Sequence, residues 1–372
     1  MTKHKILALT IGICLIFVLV LAACAAPTPT PSPSPSPSPS PSPSPSPSPS
    51  PSPPPAQEVF EWRLQHFKAP GDCEYDGLQK FVDRVRIMSD GRLDITYYPA
   101  ATLVPTAELL DGVAQGIVEF GMGAPVYWQG SAPVMGLFWS YPFGVGSLEL
   151  DSVMYWEKGW MELAREVYED LGVYCLGIQP ICSYGDLMST VPIYNVSDLK
   201  GLKIRTFGIY GDIVTAMGGS VTVVPAEEFY LAISTGVIDA GMWGGAGAFW
   251  DLKLHETAKY ITAPGWGYPT HNDAFINLQA WNELPDDLKE ILKVANELRG
   301  LEIIRCFTAD DVVALGKMQQ EWGVTLCQWS DEAVAEARTM AVDILAEKAA
   351  EDAMYGRAAA AYQDFMKELG MM

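Results

Sequence analysis

The sequence predicts a two-lobed α/β protein with a cleft between the lobes and long helices at its C-terminal end. Three observations predict it. A strand, helix, strand rhythm opens the folded part and recurs in its middle, helical periodicity dominates from Pro285 onward, and none of the residue spacings of a catalytic centre occurs among the 372 residues.

In chain order, Lys3, His4 and Lys5 precede an apolar stretch from Ile6 to Leu21, broken only by Thr10, Gly12 and Cys14. That is the charged and apolar pattern of an export signal, and the stretch is short for a bilayer span. It stops at 21-LAAC-24, where small residues lead into a cysteine. This resembles the lipobox of bacterial lipoproteins, which implies cleavage after residue 23 and acylation of Cys24. Residues 27–55 are Pro, Ser and Thr with no large apolar side chain, so they form a linker without a core. Extended as polyproline II, it would reach on the order of 90 Å. A cell-wall stalk or an O-glycosylated spacer fits the same composition. The expected localisation is extracytoplasmic, on a membrane anchor.

Residues 57–372 suffice for two lobes. Cleavage at residue 23 removes Lys3 and Lys5 and no acid, taking the formal charge from −21 to −23. A surface this acidic argues against nucleic acid or an anionic membrane as partner, so an anionic ligand needs a local cation. Besides Cys24 the mature chain holds Cys73, Cys175, Cys182, Cys306 and Cys327. An odd count leaves at least one thiol unpaired, and their scattered, mostly apolar settings favour buried thiols with at most one or two bridges.

The segment 58-EVFEWRLQHF-67 reads as a strand, and 76–99 as a helix, a stop at Gly91 and a second strand. A helix then runs into a short strand over 107–123. The middle repeats the rhythm: a strand over 171–178, 201-GLKIRTFG-208 with Arg205 near a strand end, a helix over 209–218, a strand over 220–224, a helix over 226–236 and 237-VIDAGMWGG-245. The repetition predicts mostly parallel sheets. Residues 285–323 read as helix broken near Gly300, and 331–370 as an Ala-rich final helix, long enough to wrap both lobes or reach a neighbouring subunit.

There is no G-x-S-x-G, no H-E-x-x-H and no P-loop, and the glycine clusters 121-GMG-123 and 244-GGAG-247 stand in the wrong context for a dinucleotide fingerprint. His66, His255 and His271 are far apart in sequence. Aromatic residues are abundant, and those beside glycines in predicted loops, Tyr127, Trp128, Trp243 and Trp266, are candidates to line a cleft. An aromatic wall with one arginine suits a small carboxylate, because the rings exclude water and the guanidinium fork takes two oxygens.

The stretch 198-DLKGLKIRTFGIYGDIVTAMGGSVTVVPAEEFYLAISTGVIDAGMW-243 resembles the solute-binding proteins of tripartite ATP-independent periplasmic (TRAP) transporters, as do 108-ELLDGVAQGIVEFGMG-123, 142-PFG-144 and 277-NLQAWNELPDDLKEIL-292. The resemblance spans most of residues 57–325. It implies a periplasmic-binding-protein-like fold, a small organic acid as ligand, TRAP membrane subunits as partners, and no enzymatic activity. It assigns to Arg205 the carboxylate of the ligand and to Glu228 a structural role, with an Arg205–Glu228 ion pair as the alternative. A homodimer through the final helix occurs in the branch most resembled, which binds 2-oxo acids or lactate with a metal ion.

That branch has Glu-Trp where this chain has Met242-Trp243, an acid where Gly267 and Tyr268 stand, and a glutamine near Cys182. A thioether, a phenol and a thiol do not replace hard oxygen ligands for Na⁺ or Ca²⁺. The expectation is therefore no metal, no cofactor, and an apolar monocarboxylate held by Arg205, Met242, Trp243, Trp266, Tyr127, Trp128 and Cys182. The expected lobes are 57–180 with 268–300, and 181–267 with 301–330, followed by the helix 331–370. A lipid-anchored enzyme acting on a small acid, or a sensor or scavenger without a transporter, are the competing readings.

Overall fold

The computed structural model describes residues 57–372, except 182–185, 207, 226–227 and 268. Strands β1 (Phe60–His66), β2 (Leu93–Tyr98), β3 (Phe120–Gly123), β10 (His271–Asn277) and β4 (Val173–Pro180) form one sheet in the order β2-β1-β3-β10-β4. The second sheet runs β11-β9-β5-β8-β6-β7, from β5 (Leu187–Ser189), β6 (Lys203–Arg205), β7 (Ser220–Thr222), β8 (Ala240–Met242), β9 (Tyr260–Ala263) and β11 (Thr325–Gln328).

Both sheets are mixed, where repeated strand and helix units predicted mostly parallel ones. The antiparallel members are β10, between β3 and β4, and β5, between β8 and β9. Each is the strand by which the chain enters a sheet from the other one, so it arrives running opposite to strands delivered by helical crossovers. The two crossings lie side by side: Ile181 N–H donates to Thr270 O at 2.8 Å, and Leu187 N–H to the Thr262 hydroxyl at 2.9 Å.

Each sheet is buried on both faces, which explains the near-continuous apolar runs in its strands. On the first sheet, Leu64, Leu93, Phe120 and Ile276 pack with Phe81 and Leu288 on one side, while Cys175 and Phe275 pack with Phe138, Trp160 and Tyr362 on the other. On the second, Ile204, Ala240 and Met242 pack with Ile213 and Ala337, and Met188 and Ile261 with Phe249 and Met318.

The helix Asp286–Trp322 is continuous for 37 residues. Gly300 does not break it. That glycine is buried, and a Cβ there would rest against the Gln179 side chain, so it serves close packing of the helix on β4. The final stretch, expected as one helix, is two, Asp331–Glu351 and Ala353–Glu368. Asp352 between them is extended and its carboxylate accepts from Tyr355 N–H at 2.7 Å, a cap that starts a new helix. The first of the pair packs Ala333, Ala337 and Ala341 on the second sheet, and the other packs Tyr362, Phe365 and Met366 on the first. Cys73 and Cys306 form a disulfide, and Cys175 and Cys327 are buried thiols. Among the described residues no helix is long and apolar enough to cross a membrane.

Candidate functional site

Arg205 is the last residue of β6, and its side chain is buried. The strand is short because Gly208, at φ +59°, turns the chain into the helix Ile209–Ala216. Nε of the guanidinium donates to Val224 O at 2.9 Å, Nη1 donates to Met242 O, and the rings of Trp243 and Phe229 lie 4.9 and 5.2 Å from it. Carbonyl oxygens and ring faces orient a cation. Phe229, at the start of the helix Phe229–Ser234, had no signal in the sequence beyond its place after Glu228. Glu228 is exposed and makes no side-chain cap to that helix.

Met242 ends β8, fully buried, with its sulfur accepting from the Thr206 hydroxyl at 3.4 Å. Trp266 is buried in the same cluster, against Phe143 and Trp329, and its indole N–H has no acceptor among the described residues. Ala124, Trp139 and Phe143 join this cluster from segments next to the first sheet, so Met242 and Trp266 lie where the two halves meet. Tyr127 is exposed and packs edge-on to Phe67, which borders that cluster. Trp128 is placed elsewhere: it is buried in the core of the first sheet, edge-on to Phe275. Arg205 is thus brought together with the Trp243 ring and the Met242 carbonyl, while the Met242 and Trp266 side chains share the cluster around Ile204; Tyr127 stands at the border of that cluster, and Cys182 lies outside the described residues, as does Tyr268.

Sequence reasoning missed a second polar contact between the halves. The hydroxyls of Ser140 and Tyr210 are buried and 2.6 Å apart, under Gly267, where a Cβ would overlap the Tyr210 hydroxyl. Tyr210 stands in the first turn of the helix that follows Arg205, so this contact fixes the segment that carries the arginine.

The donor set around Met242 does not fit a hard cation. Its carbonyl oxygen already accepts from Arg205, and its side chain offers a thioether rather than a hard oxygen. Among the described residues, the one group of His, Cys, Asp and Glu with ligand spacing is Cys73, Cys306 and Asp310, and its two sulfurs are bonded to each other.

A monocarboxylate 2-oxoacid-binding periplasmic protein of Nostoc is 32% identical over 83% of this chain and 84% of its own length. The C4-dicarboxylate-binding periplasmic protein of Rhodobacter capsulatus is 25% identical over 63% of this chain and 69% of its own. Among solved structures, a TRAP periplasmic solute-binding protein of Pseudoalteromonas atlantica with bound sodium and pyruvate superposes with TM-score 0.72 at 27% identity, covering 84% of this chain and 95% of that one. One from Colwellia psychrerythraea, with bound calcium and pyruvate, gives 0.74 at 26% identity over the same shares. Members of this group are solute-binding proteins, not enzymes. The profile of the bacterial extracellular solute-binding protein family 7 (DctP) matches residues 64–352, and this chain belongs to that family.

Proposed function

We propose that this chain is an extracytoplasmic, lipid-anchored receptor that captures a small organic monocarboxylate between its lobes and delivers it to the membrane subunits of a TRAP transporter. One observation carries the reading: a buried arginine at a strand end, oriented by the carbonyls of Val224 and Met242 and by the rings of Trp243 and Phe229. The guanidinium takes the carboxylate, Met242, Trp243 and Trp266 receive the apolar part, and Tyr127 covers the border. The Nostoc relative's 2-oxoacid ligands and the pyruvate in two solved relatives support the ligand class. Met242 and Trp266 favour a more apolar acid than pyruvate. We take the lobes as 57–180 with 268–300, and 181–267 with 301–330, a division supported by the strand membership of the two sheets.

The site holds no metal in this reading, because the hard oxygen donors that Na⁺ or Ca²⁺ need are replaced by Met242 and its neighbours. Cys24 carries the lipid, and residues 27–55 let the receptor range from the membrane. Mass spectrometry of acid released from the purified protein, followed by calorimetry of that acid with wild type and Arg205→Ala, tests the reading. A released monocarboxylate that the variant fails to retain supports it, and equal binding by both proteins sinks the clamp. Transfer of labelled palmitate to wild type but not Cys24→Ala tests the anchor.

A further inference from the structure

The glycine cluster 244-GGAG-247 has an anion after all, supplied by the protein itself. The helix Ala246–Asp251 starts at Gly245, which has no side chain to cap the exposed N–H groups of the first turn. Asp311, from the distant helix Asp286–Trp322, takes that place: its carboxylate accepts from Gly247 N–H at 2.8 Å. The fit is close on the other side too. A Cβ built on Gly245 would overlap the Asp311 carboxylate, and one on Gly247 would stand 3.3 Å from its Oδ1. Gly244, at φ +110°, provides the turn that brings the loop to the carboxylate. Immediately before this turn stand Trp243, whose ring lies over Arg205, and Met242, whose carbonyl accepts from Arg205. The six residues 242–247 therefore run from the arginine to Asp311 with a fixed contact at each end.

We propose that Asp311 is a positioning residue of the ligand site, holding the 243–247 loop so that Trp243 stays over Arg205. Its own part in binding is indirect, since its carboxylate is spent on the loop. The consequence for affinity rests on the carboxylate-receptor reading, whereas the consequence for the loop does not.

The test therefore has two arms on the full chain. Hydrogen exchange without ligand reads the loop. Asp311→Ala should speed exchange of residues 243–250 by about tenfold or more while the first sheet is unchanged, and Asp311→Asn, which keeps an acceptor for Gly247, should retain most of the protection. Gly245→Ala should speed the same exchange, and adding Asp311→Ala to it should relieve the overlap rather than worsen it. Calorimetry with pyruvate reads the site. Asp311→Ala should weaken binding about tenfold, and this effect should vanish in a Trp243→Ala background, which a general loss of stability would not do. Unchanged loop exchange in Asp311→Ala overturns the proposal, as does an equal loss of affinity with and without Trp243. If wild type binds no pyruvate or other monocarboxylate, the receptor reading falls and the exchange arm still decides the role of Asp311.

Discussion

Two arginines are buried to nearly the same extent, Arg299 at 3% and Arg205 at 4% exposure, and they are held in different ways. Arg299, on the helix Asp286–Trp322, meets a full anion: Glu74 at 2.9 Å, with the Gln179 side-chain oxygen at 2.5 Å and His66 at 3.3 Å. Glu74 in turn accepts from Asn272 at 2.8 Å, so β1, β4, β10 and the long helix are tied through one buried carboxylate. The contacts that orient Arg205 are carbonyls and rings. The first arrangement completes a charge inside the protein and serves the fold, and the second is the one we propose to meet the ligand's carboxylate. The difference lies in the partner rather than in burial.

Truncating each arginine should separate the two roles most clearly. Arg299→Ala leaves Glu74 buried without its guanidinium and should lower unfolding free energy by about 3–5 kcal/mol in urea titrations. Arg205→Ala should instead cost about 2–5 kcal/mol of binding by calorimetry, with the smaller loss in stability. If the ranking is reversed, the division of labour is wrong. Replacing the pair together, as Arg299→Met with Glu74→Leu, should recover most of the stability lost by Arg299→Ala, because a buried pair contributes little beyond an apolar substitute. A double variant no better than the single one would show that the network does more than neutralise itself.

The pH dependence of unfolding sharpens the same contrast more gently. Burial opposes ionisation of Glu74, but His66, Arg299 and Lys68 outweigh it and hold its carboxyl at about 2. Its contribution is thus complete above the ordinary 4.5 and is lost as pH falls toward 2. His66 acts in the same direction, since burial lowers it and protonation on acidification penalises the fold. Asp273 acts in the opposite sense. Burial raises it to about 7 against the pull of Tyr168 and His271, so its contribution is present below the ordinary 3.8 and is lost as pH rises through 7. Urea midpoints from pH 3 to 9 should show a flattened acid limb in the Glu74→Leu, Arg299→Met protein and a shallower fall from the ordinary 3.8 to about 7 in Asp273→Asn.

The sequence disclosed Arg205 because its surroundings are local: β6, the turn at Gly208 and the helix behind it lie within a few residues, and period and glycine placement mark them. Arg299 left no such trace. Its partners Glu74, Gln179 and His66 are 225, 120 and 233 residues away, and inside a helical pattern an arginine reads as a solvated face. The same limit hid β10, where 271-HNDAFIN-277 looks polar yet is buried because Asn272, Asp273 and His271 all find partners from distant segments. It also hid Asp311, whose loop was visible as glycines without a purpose. Gly300 misled for a related reason: periodicity cannot tell a glycine that breaks a helix from one that lets it pack closely.

The smallest expected effect is a null one, and it bears on the partner rule directly. The two pyruvate-bound relatives hold sodium or calcium as well. Here the carbonyl of Met242 accepts from Arg205 and the side chain offers a thioether, a poor donor for a hard cation, and in the proposed reading the guanidinium meets the anion without a metal. Affinity for the released acid in potassium buffer with EDTA should therefore stay within about twofold of that in added sodium or calcium. Met242→Glu should reverse this: the new carboxylate, buried at the end of β8 next to the Thr206 hydroxyl, should weaken the acid in EDTA and make binding recover when sodium or calcium is restored. A wild-type affinity that drops tenfold on chelation and returns with either ion would show that the receptor recruits a metal through other oxygens, and Arg205 would then share the anion rather than hold it alone.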